Sequence, residues 1–190
     1  MSKEKFVRLG GWALMLGPIL FVLTQFIDSL EISYYDPLGG MDATLEYLKL
    51  VLGPITMLSF SVGALALRSR YGAQAGPAAS NALAFSAFCA AVSAAGAVGL
   101  GLLIPGEWWG LTVGPLLLYL LGIAVFSWIC IQRGVLPIWN WLFFISAIGI
   151  PLAVLSSLGL IFELPQAVLS AVMLLTLLGL FAVGFKLQQA

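Results

Sequence analysis

The sequence predicts an all-α integral membrane protein in which six transmembrane helices form one bundle, a single domain over residues 1–190. Hydrophobic residues make up 62% of the chain and charged residues only 8%, whereas a soluble domain carries roughly 25% charged residues. Six uncharged stretches, each of about the length that crosses a bilayer, also follow one another along the chain. They lie at residues 9–27, 50–67, 82–104, 111–131, 141–162 and 167–185.

Each uncharged stretch predicts one membrane-spanning helix. About 20 apolar residues in a helix cross the ~30 Å of bilayer hydrocarbon, and a backbone in lipid has to satisfy its own hydrogen bonds. The alternating segments of roughly ten residues that mark a membrane β-barrel are absent from the sequence. The first stretch follows a basic start, but it is long and lacks a small-x-small cleavage site. We therefore interpret it as a retained span and not as a signal peptide.

The distribution of charge along the chain predicts its orientation. Seven basic residues fall on one side of the predicted spans, and Lys49 is the only basic residue on the other side. The seven are Lys3, Lys5, Arg8, Arg68, Arg70, Arg133 and Lys186. Because cytoplasmic loops carry an excess of Lys and Arg, this side should face the cytoplasm, as in a protein of the plasma membrane. Both termini are therefore expected to be cytoplasmic.

Two of the connections between the predicted spans are long. The outer connection covers residues 28–49 and contains Pro and Gly residues that favour turns. Its pattern becomes helical after Asp42, which we predict to be an N-cap. The cytoplasmic connection around residues 70–77 is rich in Ala and Gly, and we expect it to be a loop.

Small residues recur along the third span and predict close helix packing there. They are spaced four apart, and the first span offers a matching pair. The residues are Ala87, Ala91, Ala95 and Gly99 in the third span and Ala13 and Gly17 in the first. Small side chains let membrane helices approach closely, so the third span should be the packed centre of the bundle. The stripe either packs within the chain or docks another membrane protein or another copy of the chain.

Polar residues indicate two candidate ligand sites. Gln25, Asp28 and Glu31, at the outer end of the first span, share a helix face if the helix continues. Their oxygens suit a divalent cation or a cationic ligand, and the alternative is an acidic rim that only follows from topology. Tyr119 lies in the middle of the fourth span, where its hydroxyl needs a hydrogen-bond partner or a cavity.

The composition excludes several classes of chemistry. The chain has no histidine, so imidazole-held haem, a Ser-His-Asp triad and a His-based zinc site cannot form. No charged residue lies near the middle of a predicted span, which argues against an ion-coupled transporter. Cys89 and Cys130 lie at different predicted depths, which disfavours a disulfide and indicates two buried thiols. We therefore expect no cofactor, no resident metal and no catalytic residue, and the zero net charge argues against nucleic acid.

The C-terminal half carries several local patterns that occur together. The run Ile131–Trp139 places an arginine, a proline and a tryptophan before the fifth span, and Gly149 and Pro151 lie within that span. Residues 164–166 (Leu-Pro-Gln) precede the sixth span and residues 184–186 (Gly-Phe-Lys) close it. This half resembles a bacterial family of small six-helix membrane proteins known only as a domain of unknown function. The resemblance implies the same topology and implies no activity.

Three functional hypotheses follow from these observations. The first is a non-enzymatic membrane subunit or scaffold that acts through helix contacts. The second is a binder or translocator of an apolar or neutral small molecule, because the architecture alone is similar to the substrate-capture subunits of vitamin importers. The third is a membrane enzyme that uses the outer carboxylates of Asp28 and Glu31, although the sequence contains no known membrane-enzyme motif.

Overall fold

The computed structural model describes residues 2–33, 43–103, 109–136, 140–157 and 165–189, and these ranges are almost entirely helical. The prediction of an all-α fold is confirmed for this part of the chain, which contains no strand. The six helices are α1 (Lys3–Ser33), α2 (Ala43–Ala75), α3 (Pro77–Leu103), α4 (Trp109–Arg133), α5 (Asn140–Ser157) and α6 (Gln166–Gln188).

Four of these helices are long and apolar enough to cross a membrane. The qualifying segments are Lys3–Thr24, Leu50–Ala75, Pro77–Gly99 and Leu111–Arg133. The described parts of α5 and α6 contribute shorter apolar helices, Asn140–Gly149 and Leu174–Gln188. The outer surface is apolar as well: the side chain of Phe88 is 66% exposed and that of Trp12 is 64% exposed. Water is a poor solvent for such a surface, so the molecule associates with membranes.

The six helices form a closed ring in chain order. Each helix packs against its neighbours in the chain, and α6 returns to contact α1. Among the described residues α2 contacts four helices, because it also reaches α4 and α6, whereas α3 contacts only α2 and α4. Accordingly Ala64, Ala66 and Leu67 are fully buried although they point to different sides of α2. The third span was predicted to be the packed centre with helices against two or more sides; α3 does have α2 and α4 against it, but α2, with four neighbours, is the more central helix.

Close glycine contacts hold α1 in this ring. A Cβ atom at Gly11 would lie 2.7 Å from the carbonyl oxygen of Gly184 in α6, so only glycine permits this approach. A Cβ atom at Gly17 would lie 2.7 Å from the Phe60 ring in α2. Gly17 is thus part of the packing between α1 and α2, while Ala13 on the same helix is half-buried. The helix α1 is consequently wedged between α2 and α6.

The expected cytoplasmic loop at residues 70–77 is absent, and that prediction is wrong. The helix α2 continues to Ala75 and α3 begins at Pro77. Only Gly76 separates them, and its φ of +88° is a left-handed conformation that glycine adopts without strain. Pro77 suits the first position of a helix because the missing N–H would have no helical partner there. Because alanine favours helix, the Ala-rich segment stays helical on both sides of Gly76, and the chain turns at that one residue.

Candidate functional site

The side of α3 that faces α2 and α4 is tied to both helices by serine hydroxyls. Ser61 of α2 donates a hydrogen bond to the carbonyl oxygen of Ala87 (2.8 Å). Ser86 and Ser93 of α3 donate to carbonyl oxygens of α4, those of Tyr119 (3.0 Å) and Thr112 (2.7 Å). Ser86 also donates to the carbonyl oxygen of Ala82 within α3 (2.9 Å), the bond to its own helix that serine usually makes. These interhelical bonds depend on which side of a helix faces a neighbour, and the sequence alone does not give that.

The opposite side of α3 carries most of the predicted small-residue stripe. Ala87, the first member, is buried, but Ala91 and Ala95 are exposed. Among the described residues, a Cβ atom at Gly99 would meet no atom within 4 Å. Phe88 and Val92 flank these residues and are exposed too. We call this surface the outer face of α3 and define it as Phe88, Ala91, Val92, Ala95 and Gly99. These residues are spaced three or four apart, as on one side of a helix, so they form a continuous strip.

Tyr119 of α4 brings an unpartnered hydroxyl into the interior of the bundle. The residue is 1% exposed, and its ring stacks on Phe60 of α2 with centroids 5.4 Å apart. No hydrogen-bond partner of the hydroxyl lies among the described residues. A buried polar group left without a partner costs roughly 1–3 kcal/mol. The requirement for a partner or a cavity, which the sequence indicated, is therefore not met by the chain's own described groups.

A second buried polar pair joins α4 to α5, and sequence reasoning missed it. The side-chain amide of Asn140 donates to the carbonyl oxygen of Ser127 (2.8 Å), and both residues are almost fully buried. Within the described part, Asn140 Oδ1 and Ser127 Oγ have no partner. The only sequence signal was an amide next to Trp141 at the start of a predicted span. This pair fixes the start of α5 against α4.

The predicted acidic cluster lies mostly outside the described part of the chain. The helix α1 continues to Ser33, so Gln25, Asp28 and Glu31 belong to one helix, as their spacing required. Their side chains fall outside the described residues. Within the described residues, no group of three or more His, Cys, Asp or Glu side chains is positioned to hold a metal ion. Cys89 and Cys130 are free thiols and are buried, as we predicted.

Comparisons with family models, with curated proteins and with solved structures gave no match to this chain. The resemblance of the C-terminal half to a six-helix family therefore stays a prediction.

Proposed function

We propose that this chain is a non-enzymatic subunit or scaffold that lies in the plasma membrane and acts through helix contacts. It would have six spans and both termini in the cytoplasm. The outer face of α3 would be the contact surface, and its occupant would be a transmembrane helix of a partner protein. The observation that supports this is the exposure of Ala91 and Ala95, beside Gly99, where a Cβ atom would meet no described residue within 4 Å.

Helices within this chain already associate through small residues. Gly11 and Gly184 bring the backbones of α1 and α6 together, and Gly10 does the same against Ala66 of α2. Lipid tails are as apolar as leucine, so close packing and not burial from water drives such contacts. The outer face of α3 offers small residues of the same kind, with no helix of its own chain upon it among the described residues. Lipid would fill this strip less tightly than a helix.

The test is a double substitution, Ala91→Leu with Ala95→Leu, studied by native mass spectrometry of gently extracted protein in nanodiscs. Wild type should carry a membrane protein at fixed stoichiometry, and the double variant should lose it. Ala171→Leu is the matched control, since Ala171 is exposed on α6. This variant should retain the partner. Association that survives the double substitution would exclude this surface. A second copy of the chain in place of a partner would turn the proposal into homo-oligomerisation.

A second candidate function is binding or translocation of an apolar or neutral small molecule. It is supported by the Tyr119 hydroxyl, which is buried without a partner among the described residues. A ligand carbonyl or hydroxyl group could accept the hydrogen bond and offset the cost of burying this group. The stack of Tyr119 on Phe60 would then form one apolar wall for such a ligand.

Tyr119→Phe tests this candidate because it removes only the hydroxyl and keeps the ring on Phe60. Wild type should retain a neutral molecule in native mass spectrometry, and the variant should lose it. Without ligand the variant should be as stable as wild type or more stable, since no bond of the described chain is broken. Equal retention by the two proteins would contradict the candidate.

A further inference from the structure

Two arginines from different helices meet at the turn between α2 and α3. Arg68 of α2 donates from Nε to Ser80 Oγ of α3 (3.0 Å). The guanidinium group of Arg133, at the end of α4, lies against Gly76, where a Cβ atom would be 2.5 Å from Nη1. The N–H of Ser80 donates to the carbonyl oxygen of Gly76 (3.0 Å). Ser80, which Arg68 contacts, is therefore joined by one backbone hydrogen bond to Gly76, which Arg133 contacts.

No carboxylate of the three helices around this turn is placed to neutralise the charges of Arg68 and Arg133. The helices α3 and α4 contain no Asp or Glu. The only acidic residue of α2 is Glu46, which precedes Arg68 by a helical distance of about 33 Å at 1.5 Å per residue. On the side of the chain that holds the seven basic residues, Glu4 is the only acid. The pair Arg68 and Arg133 is thus a double positive charge that no carboxylate of α2, α3 or α4 compensates.

The backbone at this turn supplies N–H donors but no net positive potential. The helix α3 begins at Pro77, and the N–H groups of its first turn have no partner within the helix. The positive end of the α3 dipole consequently lies at this turn, but α2 ends at Ala75, so the negative end of its dipole lies there too and the two oppose each other. Arg68 uses Nε for Ser80, which leaves its terminal nitrogens for another acceptor. Guanidinium groups prefer planar oxyanions such as carboxylate and phosphate, which they bind through two parallel hydrogen bonds.

We propose that Arg68, Arg133 and the turn around Gly76 bind the phosphate headgroup of an anionic phospholipid in the cytoplasmic leaflet. This inference rests on the membrane placement in the proposed function and is independent of any partner protein. The surface next to the turn favours a lipid over free phosphate. Phe85 of α3 and Val125 of α4 are both exposed and both lie about 12 Å along their helices from the turn. An acyl chain can cover these side chains, whereas inorganic phosphate cannot.

The test compares two double variants that remove the same charge from the same side of the chain. Arg68→Gln with Arg133→Gln removes the site. Arg70→Gln with Lys186→Gln is the control, because Arg70 lies over the Tyr71 ring (5.9 Å) and α6 contacts neither α3 nor α4 among the described residues. Binding of phosphatidylglycerol is measured by native mass spectrometry after exchange from phosphatidylcholine nanodiscs. We expect on the order of 30-fold weaker binding in the site variant, about one tenfold step or less per arginine.

The control variant should bind phosphatidylglycerol within about threefold of wild type, since Arg70 is directed at the Tyr71 ring and Lys186 lies on α6, which contacts neither α3 nor α4 among the described residues. Equal losses in the two double variants would overturn the proposal, because a diffuse surface potential would then explain the binding. Inorganic phosphate that protects the protein from thermal unfolding as well as the lipid does would also overturn it. If the double variant does not fold, Arg133→Gln alone carries the test, with an expected loss of about fivefold. An unchanged affinity in that variant would refute the site.

Discussion

The two sides of α3 contain similar residues and differ in what covers them. The inner side presents Ser86, Ala90 and Ser93, which lie against α2 and α4 and are fully buried. The outer face presents Ala91 and Ala95, which are exposed. Ala90 and Ala91 are the same residue type, separated by about 100° of rotation around the helix. Small size therefore permits close packing on both sides of α3 but does not decide which side the chain itself uses.

The serine hydroxyls mark the side that packs within the chain. Ser86 and Ser93 reach carbonyl oxygens of α4, and Ser61 reaches one of α3. A hydroxyl in lipid has few acceptors other than the backbone of its own or a neighbouring helix. A side of α3 with both serine and alanine is therefore fixed to a neighbour, while a side with alanine and no serine is left for lipid or a partner.

The largest expected effect comes from placing leucine on the two sides in turn. Ala90→Leu would force three extra carbon atoms into a fully buried position, and we expect a loss of about 2–3 kcal/mol in unfolding free energy. Ala91→Leu is the matched variant on the exposed side, and its effect should stay below about 0.5 kcal/mol. Reversible unfolding in mixed detergent micelles measures both. Similar losses in the two variants would show that both sides of α3 pack within the chain.

The second largest expected effect comes from disturbing the contact between α3 and α4. A Cβ atom at Gly122 would overlap Ser86 Oγ and would lie 3.0 Å from the carbonyl oxygen of Ala82. Gly122→Ala should therefore destabilise the protein by about 1–2 kcal/mol, because α4 has to move away and the bond from Ser86 to Tyr119 is weakened. Thermal unfolding followed by circular dichroism detects the change.

Gly99→Ala on α3 is the control, since among the described residues a Cβ atom there would meet nothing within 4 Å. Its melting temperature should be unchanged or slightly raised, because alanine favours helix over glycine by roughly 0.5–1 kcal/mol. Equal destabilisation by the two substitutions would mean that the close approach at Gly122 is not what holds α3 to α4.

Much of the fold was predictable because apolar length and charge distribution depend on the chain alone. The uncharged stretches at 82–104 and 111–131 correspond to α3 and α4 within a few residues. The place of Tyr119 in the fourth span indicated that its hydroxyl needs a partner or a cavity, but the lack of a partner among the described residues did not follow from it. The Ala-rich cytoplasmic segment was misread as a loop, since a single Gly76 with positive φ is enough to reverse the chain.

What the sequence could not give is the rotation of each helix about its own axis. Nearly all residues of a membrane helix are apolar, so a hydrophobic stripe does not separate the inside from the outside. The stripe through Ala87, Ala91 and Ala95 passes from a buried to an exposed position. Its spacing of four residues is compatible with a buried side and with an exposed side. The amide of Asn140 against Ser127 was missed for the same reason, because its partner is a backbone carbonyl of another helix.

The smallest expected effect isolates one hydroxyl on the inner side of α3. Ser93→Ala removes the hydrogen bond to the carbonyl oxygen of Thr112 (2.7 Å), and an interhelical bond of this kind contributes about 0.6 kcal/mol, with a maximum near 1.7 kcal/mol. Ser59→Ala removes a hydroxyl that donates to Ile55 within α2, so its effect on unfolding should be close to zero. A steric trap or micelle unfolding assay resolves this difference. If Ser59→Ala costs as much as Ser93→Ala, serine hydroxyls do not distinguish the two sides of α3, and close packing alone holds this helix in the ring.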